Sequence, residues 1–245
     1  PYYSTEVLLE IGNTLSLMIL SHFGLGKKVL ILDCDKTLWN GVIGEDDNEK
    51  IFSIQDKKRD FFLYANKIFN SLKNKGVLLA ICSKNNFLDV KNFFDKKSNN
   101  LINFNDLIAK KINWELKSKN ILDISNELNL GTSSFVFLDD SEHEINEVKT
   151  AINDIDCILV PKELRDYKKI LLKIYKIFSY SFYETGEDAN RTQLYQDEEQ
   201  RNKLKKNYSY EEYLKNLSLE MNFSNGNNFD LKRLVQMTQK TNQFN

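Results

Sequence analysis

The sequence predicts an α/β protein: a three-layer domain in which helices cover both faces of a mostly parallel sheet. Three observations carry that reading. Short continuous apolar runs recur along the chain, VLILD at 29–33, VLLAICS at 77–83, SFVFLDD at 134–140 and CILVP at 157–161, each the length of a buried strand. Segments with apolar residues at helical spacing separate them, which makes βαβ units with right-handed crossovers. Carboxylates or a hydroxyl stand where the first three runs end, the edge at which such sheets bind ligands.

Taken in order, residues 5–22 carry apolar side chains at roughly helical spacing and lead through Lys27-Lys28 into the first run. Helical patterns follow at about 58–75, 86–96, 117–129 and 142–152. Gly76 launches the second run and Gly131 announces the third. Beyond about residue 165 the texture changes to charged and aromatic helical patterns. LSLEMNF at 217–223 then alternates like an edge strand, and 230–240 reads as a helix. The expected organisation is an N-terminal helix over 1–26, a catalytic core over 27–165 and a mostly helical extension over 166–245. The chain starts at Pro1 and stops at Asn245 just after a helical pattern, so it reads as a piece of a longer protein.

Composition removes several function classes. Of the 245 residues, 34 are Lys or Arg and 35 Asp or Glu, a formal net charge of -1 that offers no field for nucleic acid or an anionic membrane. The most apolar stretch, 15–20, is far shorter than the ~20 residues a bilayer span needs. Three cysteines without CxxC spacing suggest neither a zinc knuckle nor a disulfide framework, and a reducing, cytoplasmic setting fits best.

The chemistry lies at the strand ends. Asp33 and Asp35 flank a single residue in DCDKT, and two carboxylates this close repel unless a proton or a cation intervenes. Mg²⁺ suits the site, because it is held by one or two carboxylates together with substrate phosphate oxygens, and Asp139 or Asp140 can add a further ligand.

DCDKT, then Ser83 closing an apolar strand, then a Lys, then FLDD resembles the four ordered motifs of the haloacid dehalogenase (HAD) superfamily of phosphoryl-transfer enzymes. The resemblance implies a HAD-like (Rossmannoid) sheet with a flap after strand one. It makes Asp33 the nucleophile and Asp35 the general acid and base. Thr37 orients the loop, Ser83 holds a phosphoryl oxygen and Lys117 neutralises developing charge. Asp139 and Asp140, with Asp33 and Asp35, form the Mg²⁺ site. Lys117 and Lys119 open one helix, and the likeness of NWELKSKNI to the pattern NWxxKxxNI of one HAD branch selects Lys117.

The longer segments DCDKTLWNGVIGEDD, ICSKNN, INWELKSKNI and the final KTNQFN are similar to the FkbH-like proteins, subfamily IIIC of the superfamily. That likeness implies dephosphorylation of 1,3-bisphosphoglycerate and loading of the glyceryl unit as a thioester on an acyl carrier protein, for polyketide biosynthesis. A plain HAD phosphatase on a small phosphorylated metabolite is the alternative. Lys36, Asn40 and Asp47 depart from the family pattern, which has Asn, Gly and Gly there.

Cys34, between the motif aspartates, is a candidate acceptor for an acyl group, or else a small buried hydrophobe. Trp39, Asn40 and Gly41 lie in the flap segment, where Trp39 either walls the pocket or is structural. Lys84 and Asn85, directly after Ser83, are candidates for holding substrate, while Asn86 suits a helix cap.

Overall fold

The computed structural model describes residues 3–23, 25–47, 49–53, 58–97, 99, 101–179, 192–195, 197 and 201. The chain divides into two compact units, 1–196 and 197–245. The elements expected at 217–223 and 230–240 lie outside the described residues.

In chain order the elements are α1 (Thr5–His22), β1 (Val29–Leu32), α2 (Arg59–Asn74), β2 (Leu78–Ser83), α3 (Phe87–Lys96), β3 (Leu107–Ile112), α4 (Lys117–Leu128), β4 (Phe135–Asp139), α5 (Glu142–Ala151), β5 (Asp156–Leu159) and α6 (Leu164–Ser179). The five strands form one parallel sheet in the order β3-β2-β1-β4-β5. The order reverses at β1, so the crevice beyond the carboxyl ends of β1, β2 and β4 is the place such a sheet offers a ligand.

The alternation along each strand divides the core in two. Leu30, Leu32, Leu79, Ile81, Val136 and Leu138 face a layer made by α2, α3 and α6. Val29, Ile31, Leu78, Ala80, Phe135 and Phe137 face α4 and α5. The three central strands β1, β2 and β4 are buried on both faces and so read as unbroken apolar runs; β5, an edge strand, was legible only because CILVP is itself a short apolar run. The fifth, β3, has sequence LIAKKI and lies at the sheet edge, where Lys110 and Lys111 are tolerated because that strand is covered less.

Local signals set the helix ends. Asn86 accepts a hydrogen bond from the Leu88 N–H and caps α3, and Ser141 does the same for α5 through the Glu144 N–H. Asn129 closes α4 at φ +50°, a conformation Asn accepts more readily than most residues. Helix α1, capped by Ser4, buries none of its residues. Among the described residues no helix is long and apolar enough to cross a membrane.

The boundary expected at 165/166 falls inside α6. Tyr167, Leu171 and Ile174 on that helix are fully buried at i, i+4 and i+7, packed in the same cluster as α2 and β1. The Tyr167 hydroxyl donates to the Thr37 carbonyl at 2.9 Å, so α6 is tied to the loop that follows β1. Burial holds the phenol well above its ordinary range, so it stays a donor.

Tyr167→Phe should leave that carbonyl buried without a partner, costing about 1–2 kcal/mol. Urea unfolding of the variant should show a lower midpoint at unchanged m-value. An unshifted midpoint would show that the α6 tie contributes nothing.

Candidate active site

Three strand ends and one helix start meet at the reversal point. β1 delivers Asp33, β2 ends at Ser83, and β4 delivers Asp139 and then Asp140. Lys117 is the first residue of α4, and its ammonium donates to Asp33 Oδ1 at 2.7 Å and to Asp139 Oδ2 at 2.5 Å. All three side chains are buried. Asp139 also accepts the Ser141 N–H at 2.8 Å.

The motif that selects Lys117 has a structural reason. Asn113 and Asn120 exchange side-chain hydrogen bonds at 2.8 and 3.2 Å, while the Asn113 N–H donates to the Ser83 carbonyl at 3.1 Å. This clamps the β3–α4 loop to the end of β2 and points the first residue of α4 inward. Lys119, two positions on, is exposed and paired with Glu115 at 2.7 Å.

One carboxylate oxygen from each of Asp33, Asp139 and Asp140 lies within 4.8 Å of the other two. One ammonium cannot balance three carboxylates in a buried place. Burial first, and the charge of Asp33 second, push the Asp139 carboxyl up to about 7 against the pull of Lys117. Asp140 is raised by the same two causes. Lys117 itself loses stability as a cation through burial, but Asp33 and Asp139 reverse the sign and hold it above its usual range, permanently charged. Oxygen donors of this kind with unbalanced negative charge fit a hard divalent cation.

Asp35 is placed differently. Its Oδ1 accepts from the Trp39 indole N–H at 2.9 Å and from the Ile43 N–H at 3.2 Å, and its Oδ2 accepts from the Asn85 amide at 2.9 Å. Those bonds turn the carboxylate toward the flap and away from the three-aspartate cluster, so the expected side-chain metal role for Asp35 is not what the structure assembles. Burial raises its pKa, with Asn85, Ile43 and Trp39 opposing, which suits a group that must carry a proton. Asn85 reaches Ser83 Oγ at 3.3 Å as well, linking acid and hydroxyl.

Several expectations need correcting. Trp39 has no exposed surface and packs against Phe93 and Phe94 with ring centroids 4.8 and 5.8 Å away, so it anchors Asp35 and does not wall a pocket. Cys34 is also fully buried, beside Ser83, and burial followed by the Asp33 charge holds its thiol far above the ordinary range. A thiol kept protonated and without access cannot accept an acyl group in this arrangement. Lys84 is paired with Glu144 at 2.7 Å.

The segment after β1 is a compact series of turns with isolated bridges Asp35–Trp39 and Ile43–Asp46. Gly41 sits there at φ +125°, where a Cβ would meet Asp46 Oδ2 at 3.0 Å. Lys36 adopts φ +53°, a conformation that costs a non-glycine residue ~1 kcal/mol. Thr37 is fully buried, and its hydroxyl finds no partner among the described residues. Asn40 and Gly41 line a cavity of about 940 Å³ that Asp140 also lines.

Sequence reasoning overlooked Glu144, Tyr167 and the Asn113–Asn120 pair. Glu144 is buried on the inward face of α5 next to Ile145 and Val148, and only that helical phase could have signalled it. The two asparagines stood inside a motif valued for its lysine.

No family model matches the chain, and no curated protein matches it. Among solved structures it is similar to the N-terminal part of a Bacteroides fragilis protein containing a phosphatase domain, complexed with Mg. The identity is 34% over 66% of this chain, with a TM-score of 0.62. This chain spans 43% of that one, less than half its length. Lower in similarity are a HAD-superfamily hydrolase from Ehrlichia chaffeensis, 14% identical over 60% of this chain and 98% of that one with a TM-score of 0.38, and the cobalt-bound deoxy-D-mannose-octulosonate 8-phosphate phosphatase of Haemophilus influenzae, 14% identical over 68% and 98% with a TM-score of 0.39. The fold, a five-stranded parallel sheet between helices, is similar to that of the phosphatase-domain structure.

A carboxyl raised to about 7 holds a proton in the folded chain that the unfolded chain releases above about 3.9, so this group weakens folding as pH rises between those values. A divalent cation replaces that proton and must compete with it below about 7. The gain in melting temperature on adding Mg²⁺ should therefore be several degrees larger at about pH 8 than at about pH 5.5. Equal gains would show that Asp139 is not part of a cation site.

Proposed function

We propose that the chain is a Mg²⁺-dependent HAD-type enzyme that cleaves a phosphoryl group, and that it is an FkbH-like one acting on a three-carbon acyl phosphate such as 1,3-bisphosphoglycerate. The observation that carries the reading is Lys117 held between Asp33 and Asp139, with Asp140 completing the oxygen cluster. The similarity to the Mg-complexed phosphatase domain supports the first half. The second half rests on the resemblance of the extended DCDKTLWNGVIGEDD and KTNQFN segments to the FkbH-like proteins.

In this reading Asp33 attacks phosphorus, forming an aspartyl-phosphate bond as the bond from phosphorus to the leaving oxygen breaks. Asp35, whose pKa burial raises, gives a proton to the leaving oxygen and then takes one from the water that releases phosphate. Ser83 and Lys117 receive the negative charge of the transferring group. Asp33, Asp139 and Asp140 would hold Mg²⁺, which supplies Lewis-acid neutralisation of the phosphoryl oxygens when bound.

Loading of a carrier requires a different bond to break. The phosphopantetheine thiol of an acyl carrier protein, giving its proton to Asp35 as base, attacks the acyl carbon directly; a C–S bond forms, the bond from that carbon to the phosphate oxygen breaks, and phosphate leaves beside Lys117, where Asp33, Asp139 and Asp140 would hold the cation. Buried Cys34 has no part in this route. The second reading, a phosphatase alone, is favoured by the match to a phosphatase domain and ends with free acid and phosphate.

The protein, Mg²⁺, 1,3-bisphosphoglycerate and holo carrier protein should yield a carrier whose intact mass has grown by one glyceryl group. Phosphate release without that adduct would leave the phosphatase alone. Asp33→Asn should lower phosphate release at least about a thousandfold; full turnover by this variant would remove Asp33 from the nucleophile's role.

A further inference from the structure

The cavity of about 940 Å³ beside the aspartate cluster is wider than a phosphoryl group requires, and Asp140 forms part of its wall. A substrate phosphorylated at the cluster would therefore extend the rest of its body into this space. Four lysines line the cavity, Lys36, Lys50, Lys58 and Lys162, against three carboxylates besides Asp140. Two of those three are already engaged. Asp46 accepts the Val42 N–H at 2.7 Å, and Asp47 pairs with Lys50 at 3.1 Å. Glu45 remains on the flap side.

Lys36 and Lys162 stand apart. Among the described residues neither has a carboxylate within ion-pair distance, although Lys36 is near enough to Asp140 to oppose the rise of its pKa. Lys36 reaches the cavity from the catalytic loop, one residue after Asp35, and Lys162 reaches it from the loop that follows β5. With a cation on the aspartates, the wall they form carries a net positive charge directed at the substrate's body.

Resting on the functional reading above, we propose that Lys36 and Lys162 select substrates with a second anionic group, a carboxylate or a phosphate, at the end away from the phosphoryl group attacked. A substrate with a neutral tail would find these ammonium groups solvated and gain nothing from them. An anionic tail would gain charge-assisted hydrogen bonds in a partly enclosed space.

Non-hydrolysable phosphonates test this without relying on turnover. Propylphosphonate has no second anion, 3-phosphonopropionate adds a carboxylate, and propane-1,3-diphosphonate adds a second phosphonate. Calorimetric titration of the full chain in Mg²⁺ at near-physiological salt should show at least one of the two doubly anionic ligands binding about tenfold or more tighter than propylphosphonate. The better of the two identifies the tail. The Lys36→Asn, Lys162→Ala variant should reduce that ratio to near one. Asn at 36 removes the charge while accepting the positive φ, so the loop keeps its shape.

Equal affinity of the wild type for all three ligands would overturn the proposal, as would a preference that survives in the double variant. A chain that binds the doubly anionic ligand selectively yet hydrolyses no phosphorylated substrate would keep this pocket and reject the enzymatic reading, so the two failures are distinguishable.

Discussion

The structure depends on one buried cation held between two buried carboxylates. Lys117 touches Asp33 and Asp139 on neighbouring strands, β1 and β4, from the start of a helix that packs beneath them. Burial disfavours a lone charge in such a place, and the pairing offsets that cost. Removing one partner of such a set typically costs about 3–5 kcal/mol, because the other is left charged without compensation. The arrangement is still incomplete, since one positive charge faces three carboxylates, and that deficit suits a divalent cation.

Everything around the triad fixes its geometry. The Asn113–Asn120 exchange and the Asn113 bond to Ser83 hold the lysine's helix against β2. Trp39, wedged between Phe93 and Phe94, holds Asp35 through its indole N–H, while Asn85 holds the other oxygen. Tyr167 reaches from α6 to the carbonyl of Thr37. Asp35 and Asp33, two residues apart, are thus oriented by different parts of the core, and they face different neighbours for that reason.

Which parts of this were visible beforehand follows from the physics. VLILD, VLLAICS and SFVFLDD are buried on both faces, so their strands and the carboxylates at their ends were legible from apolar runs alone. LIAKKI was not, because an edge strand can carry two lysines and loses the apolar signature. Asp33, Lys117, Asp139 and Asp140 lie together in the structure, and Ser83 ends the neighbouring strand. The directions of Trp39 and Cys34 could not be read, because a residue in a turn after a strand follows neither the period of the strand nor that of a helix. Both point into the core. Tyr167 carried a usable signal, a stripe with Leu171 and Ile174, that the charged surroundings of α6 obscured.

The central claim is that Asp33, held by Lys117 and a divalent cation, becomes covalently bonded to phosphorus. Acid quench during turnover of an acyl phosphate, followed by borohydride reduction and peptide mass analysis, reads this directly, since only a phosphorylated aspartate is reduced to homoserine. The account predicts homoserine at position 33, dependent on Mg²⁺, and at no other aspartate. An unmodified Asp33 during sustained phosphate release, or reduction at Asp35 instead, would contradict it.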